Sequence, residues 1–199
     1  MHVRLCVVGV LVVVATGVMD ALAAPIDIAL RMQASLGHLT FRPYATDDIV
    51  GVALGGAAKN VYAIACGMVD GLGLGESARA ALLARSFAEL VRLGEALGAR
   101  SETLTGLSGL GDLVLTATSP SSRNFRYGRD MGRGMRRAEL NAPERPLAEG
   151  VATAPALVIR ARREGIELPV AETVADLLAG SLPLDQALVR LMSRPLKPE

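Results

Sequence analysis

Residues 49–69, IVGVALGGAAKNVYAIACGMV, decide how this chain is read. Nearly every position is apolar or small, and Lys59 and Asn60 are the only strongly polar residues. A helix that is apolar on every face is enclosed by its neighbours, so the stretch predicts the central helix of a helical core. Thr46, Asp47 and Asp48 precede it and provide an N-cap and the negative charge that suits a helix start. Gly71, Gly73 and Gly75 end it. A second long helix is expected over residues 76–97, with Leu83, Phe87, Leu90, Val91 and Leu97 as its apolar stripe and Gly98 as its stop. Residues 102–118 hold the glycine-rich run GLSGLGDLVLT, and a further helix is expected to start near Ser121 or Ser122. Three more follow at about 149–164, 169–179 and 183–192, with Pro169 and Pro183 where a first turn accepts proline. Upstream, residues 27–37 read as a short helix halted by Gly37. Residues 38–44, HLTFRPY, read as a short strand that Pro43 restricts to an edge or an end. The pattern changes near residue 45, which divides the chain into an atypical segment 1–45 and an all-α domain 46–199.

Composition removes several classes of function. The 199 residues carry 21 Lys plus Arg against 20 Asp plus Glu, a net charge of +1 that gives no support for a nucleic-acid binder. Apolar residues at 51% exclude a disordered chain, and aromatics at 3% leave no base-stacking platform. Cys6 and Cys66 make neither a disulfide scaffold nor a zinc site, and His2 and His38 are too isolated for a metal centre, so no metal is expected. Residues 5–19, LCVVGVLVVVATGVM, carry no charge. They admit three readings: a secretory signal with Ala21-Leu22-Ala23 as its cleavage-like site, a membrane helix, or a buried valine-rich strand. The run falls short of the ~20 residues a membrane span needs, which argues against the second.

Three features could carry chemistry. Lys59 places an ammonium in an apolar helix, which costs free energy unless it is paired or faces a cleft. Desolvation eases the loss of a lysine's proton and makes such a group usable as a general acid or base. Gly55 and Gly56, one turn earlier, leave a groove for a ligand or another backbone. The plain alternative is a lysine that snorkels to the surface. Asp112, within GLGDL, is either a turn or capping residue or a carboxylate that pairs with Lys59 or accepts from a substrate hydroxyl. Ser119-Pro120-Ser121-Ser122-Arg123-Asn124 combines an N-cap, a helix start and a guanidinium fork that matches phosphate oxygens. Its plain alternative is an ordinary capped surface helix. Arg126, Arg129, Arg133, Arg136 and Arg137 extend the basic run and are assigned no role, since a charge run is usually a solvated face.

Residues 50–83, then GLSGLGDLVLTAT, SSRN and LAEGV, in this order, resemble the C-terminal half of bacterial NAD(P)-dependent glycerol-3-phosphate dehydrogenase across roughly residues 39–197. The resemblance implies a mainly α fold, a helical domain like the C-terminal domain of 6-phosphogluconate dehydrogenase, preceded by a remnant of a Rossmann α/β domain. It implies reversible reduction of dihydroxyacetone phosphate by NADH or NADPH to sn-glycerol 3-phosphate, used in glycerophospholipid synthesis, by a cytoplasmic homodimer. Carried over by position, Lys59 is the proton donor and acceptor. Asp112, Ser122, Arg123 and Asn124 contact substrate. Arg123, Leu147 and Glu149 contact the cofactor, with Leu147 where the family usually has Val. A Gly-x-Gly-x-x-Gly loop does not occur near the N-terminus, where Gly9 and Gly17 stand isolated. The chain therefore reads as a C-terminal fragment with little or no turnover alone. A helical binding or dimerisation module without catalysis is the alternative, and an exported protein is the weakest reading.

Overall fold

A computed structural model describes residues 25–39 and 41–192; the readings of residues 5–19 lie outside them. Ten α-helices appear among the described residues: α1 (Pro25–Leu36), α2 (Ile49–Gly71), α3 (Gly75–Ala96), α4 (Ser101–Thr105), α5 (Asp112–Thr118), α6 (Arg123–Gly132), α7 (Arg137–Leu140), α8 (Glu149–Arg163), α9 (Pro169–Ala179) and α10 (Leu184–Met192). A π-helical turn, Leu107–Gly111, joins α4 to α5.

Helix α2 is the axis, and α3, α5, α6, α8 and α9 all pack on it. Val61, Tyr62, Ala63, Ala65 and Cys66 are fully buried, so consecutive residues on every face are enclosed. This is the all-round burial that an apolar sequence demands, and it holds over residues 61–69, while Ile49, Val50 and Ala53 in the first turns are exposed. Among the described residues α2 is also the one helix long and apolar enough to cross a bilayer, and its enclosure by other helices accounts for that composition. Asp48 caps it by accepting from the Gly51 N–H at 2.8 Å, and accepts from the Arg100 N–H at 2.8 Å, which ties the start of α2 to the start of α4. Gly73 and Gly75, with φ of 70° and 86°, turn the chain from α2 into α3 in a conformation that side chains with a Cβ rarely adopt.

Helix α6 crosses α2 almost backbone to backbone. A Cβ on Gly128 would lie 2.0 Å from the Ile64 carbonyl oxygen, and one on Gly67 would lie 2.0 Å from that of Phe125. Gly71 and Gly132 repeat the arrangement one turn further along each helix. These four glycines let α6, with Ser122 and Arg123 at its start, sit directly against the central helix.

One expectation changes, and one is extended. Residues 38–44 form no strand; His38 and Phe41 make a single antiparallel bridge, with N–H···O bonds of 2.9 and 3.0 Å. A strand needs a partner ladder, and no other strand lies among the described residues to supply one. The apolar stripe of α3 meets the core as expected, with Leu90 buried and Leu83, Phe87, Val91 and Leu97 half-buried against it, and Leu82, Ser86, Glu89 and Leu93 widen the buried face. Glu89, 1% exposed, is the unexpected member of that face. Its carboxyl oxygens accept from the Val170 N–H at 2.8 Å and the Ala171 N–H at 3.3 Å, satisfying the open donors at the start of α9.

Candidate functional site

Lys59 lies midway along α2, and the glycines one turn earlier divide the two roles foreseen for them. A Cβ on Gly55 would lie 2.4 Å from the Ser108 carbonyl oxygen, so Gly55 receives the backbone of the π-helical turn. Gly56 has no neighbour within 4 Å and faces the open cleft. The π turn itself depends on Gly109, whose missing side chain accommodates the Leu104 carbonyl. The Gly111 N–H donates to the Gly106 carbonyl at 3.0 Å, and this wide turn sets the direction in which α5 begins. Asp112, the first residue of α5, is thereby delivered to Lys59, whose Nζ donates to Asp112 Oδ2 at 2.5 Å. Thr116, one turn on, donates to Asp112 Oδ1 at 3.3 Å. The two side chains are 22% and 14% exposed, so Lys59 is a paired, largely covered group at the wall of a cleft, not an isolated buried charge. The pairing foreseen for Asp112 is present; the capping role is not, since its oxygens face Lys59 and Thr116.

Ser122 is the N-cap of α6, its Oγ accepting from the Phe125 N–H at 3.2 Å. Arg123 follows, and its guanidinium donates to Glu149 Oε1 at 2.5 Å across the gap to the start of α8. Asn124 is 3% exposed and holds three partners: its Nδ2 donates to Asn60 Oδ1 at 2.9 Å and to Glu149 Oε2 at 3.3 Å, and its Oδ1 accepts from the Gly150 N–H at 2.9 Å. Asn124 is therefore the bracket that fixes α2, α6 and α8 relative to one another.

One cleft of about 570 Å³ is lined by Lys59, Asp112, Ser122, Arg123, Asn124 and Glu149 together. Leu147 is not on that lining; it is 73% exposed in the loop before α8. The residues missed from the sequence are Asn60 and Thr116, which line the same cleft. Asn60 could have been found, since it is the other polar residue of the apolar run. Thr116 carries a weaker signal, one helical turn after Asp112. Arg123 and Glu149 are each nearly half exposed, and with Leu147 they suit contacts to the edge of a cofactor. They form no cradle for a whole dinucleotide. No metal cluster occurs among the described residues.

The fold and cleft define the class: a helical domain whose cleft is lined by a paired amine and by an arginine at a capped helix start. The chain belongs to the C-terminal domain family of NAD-dependent glycerol-3-phosphate dehydrogenase, whose profile matches residues 48–189. A glycerol-3-phosphate dehydrogenase [NAD(P)+] from Rhodospirillum rubrum is 54% identical over 172 residues, which cover 86% of this chain and 49% of the relative. One from Bradyrhizobium sp. is 56% identical over 179 residues, 89% of this chain and 53% of the relative. The chain thus spans about half the length of the curated relatives it matches. The crystal structure of glycerol-3-phosphate dehydrogenase from Coxiella burnetii superposes with a TM-score of 0.80 at 40% identity, covering 84% of this chain and 52% of that one. The yeast enzyme from Saccharomyces cerevisiae gives 0.71 at 26% identity, over 81% and 47%.

Proposed function

We propose that this chain forms the substrate side of an NAD(P)-dependent glycerol-3-phosphate dehydrogenase, reducing dihydroxyacetone phosphate to sn-glycerol 3-phosphate. The observation that carries the reading is the shared cleft, with the Lys59 amine and the Arg123 guanidinium on its lining. NAD(P)H, when bound, supplies the hydride to the carbonyl carbon. Lys59 then donates a proton to the carbonyl oxygen as negative charge develops there, and draws a replacement from solvent through its exposed edge. Asp112 holds the ammonium in place, and Thr116 holds Asp112. Ser122, Arg123 and Asn124 bind the phosphate by charge-assisted hydrogen bonds at the start of α6. Arg123, Leu147 and Glu149 meet the cofactor at the rim. The relatives are about twice as long as the stretch they share with this chain; on this reading their remaining half holds the nucleotide, and turnover needs both halves.

The same reading includes a cytoplasmic homodimer that supplies glycerophospholipid synthesis. Ile49, Val50, Leu107 and Val114 expose apolar side chains, which supports burial of part of this surface by a partner. The test is to join the chain to the nucleotide-binding half of the Rhodospirillum relative and follow NADH and NADPH oxidation with dihydroxyacetone phosphate. Lys59→Ala should lower kcat by about 10²–10⁴-fold, while Arg123→Ala acts chiefly on KM. Turnover untouched by Lys59→Ala rejects Lys59 as the proton donor, and a fused protein with no turnover at all rejects the enzyme reading. Phosphate binding that depends on Arg123 and not on Lys59 is the result that favours a binding module.

A further inference from the structure

Glu149 is the first residue of α8 and Arg123 the first of α6, so two helix N-termini meet at one carboxylate. Both ends carry the partial positive charge of a helix start, although Ser122 and Asn124 already accept from the Phe125 and Gly150 N–H groups, and the guanidinium adds a full one. Such a place attracts an anion. Here it is filled from within the chain: Glu149 Oε1 accepts from Arg123 and Oε2 from Asn124. Both oxygens are engaged by the side chains read above as phosphate ligands. Yet the pair is only half covered, at 49% and 42% exposure, and it lies on the wall of an open cleft. An ion pair of that exposure is weak and exchanges readily.

We propose that Glu149 is the resident anion of the cleft, occupying Arg123 until the phosphate of a phosphoester displaces it. The proposal rests on the reading of Arg123 as the phosphate anchor and adds that Glu149 opposes occupancy of that anchor. Asn124 does not leave with it, because its remaining bonds to Asn60 and to the Gly150 N–H hold α2, α6 and α8 together. Only the Glu149 side chain has to swing away, and the start of α8 stays where it is. Displacement turns the carboxylate from an occupant of the site into a free acceptor at its rim. Occupancy of the phosphate anchor and availability of Glu149 are thus two sides of one exchange.

The experiment is an NMR titration of the 199-residue chain with sn-glycerol 3-phosphate, following the amides at the start of α6 and of Gly150. Glu149→Gln keeps the shape and removes the charge, and should tighten binding by about two- to fivefold, the weight of an exposed ion pair. Glu149→Asp keeps the charge with a shorter reach and should fall between. The Gly150 amide should keep its protection from solvent exchange in both variants, since its acceptor is Asn124. In an Arg123→Ala background the gain from Glu149→Gln should vanish. A Glu149→Gln chain that binds no more tightly than the unaltered one overturns the proposal, including the case in which neither binds. So does a gain that persists without Arg123, which would make Glu149 a distant repulsive charge. Turnover of the fused enzyme decides the reaction separately, so a failure of the proposal and a failure of the proposed function are told apart.

Discussion

The crossing of α2 and α6 makes a demanding prediction for Gly128→Ala. The added Cβ would sit 2.0 Å from the Ile64 carbonyl oxygen, 2.8 Å from its carbon and 3.0 Å from the Ile64 Cα. All three are backbone atoms of the central helix, so no rotamer change relieves the overlap. The helices must separate by about 1 Å, and Gly67, Gly71 and Gly132 lose their contacts as they do. Overpacking of this kind costs about 1–3 kcal/mol, and rigid backbone places it at the upper end. Alanine returns about 1 kcal/mol in helix propensity. The net loss is about 2 kcal/mol, or about 4–8 °C in Tm for a chain of this size. Urea unfolding followed by circular dichroism reads it, with Gly56→Ala as the control. Gly56 has nothing within 4 Å, so the same exchange there should raise stability by about 1 kcal/mol. A Gly128→Ala protein as stable as the unaltered chain, or more so, would refute the reasoning. The same displacement carries Arg123 away from its partners, so phosphate binding should weaken in parallel.

Other perturbations bear on separate parts of the account. Burial pushes the Cys66 thiol up to about 12, so in a Cys6→Ser background it should resist thiol reagents at neutral pH and react only on unfolding. Burial alone would raise the Asp48 carboxyl, but the Gly51 and Arg100 N–H groups, then Thr103 and the Arg100 charge, outweigh it and hold it below the usual value of 3.8. A depressed folded-state value stabilises above the unfolded pKa and ceases to do so as pH falls through the folded one. Asp48→Ala should therefore cost about 1–2 kcal/mol at neutral pH, and the gap should narrow in acid; a gap independent of pH contradicts the assignment. Glu89→Gln loses one of two backbone acceptors at the start of α9 and should cost about 1–3 kcal/mol, with amide exchange rising first at Val170 and Ala171.

Periodicity revealed what depends on neighbours along the chain. The enclosure of α2, the Ser122 cap and the helices after residue 149 follow from local pattern, and the structure places them within a residue or two. What depends on distant partners was hidden. Glu89 reads as a surface residue of α3, because the N–H groups that accept it into the core lie some 80 positions later. The strand expected near residue 40 had the right residues and lacked a neighbouring ladder. At the site, Lys59, Asp112, Ser122 and Arg123 stand out by chemistry or spacing. Asn60 and Thr116 do not, since their importance lies in whom they touch: Asn124 and Asp112. The Arg123–Glu149 pair likewise spans 26 residues and depends on how α6 and α8 converge.

The central claim is that Lys59 and Arg123 hold opposite ends of one small ligand. A crystal structure of the chain with sn-glycerol 3-phosphate tests it most directly. The account predicts the phosphate on Arg123 and Asn124, Glu149 turned aside, and the C2 hydroxyl within hydrogen-bond reach of the Lys59 amine. A phosphate seated on Lys59, or a ligand that leaves the Arg123–Glu149 pair intact, would contradict it.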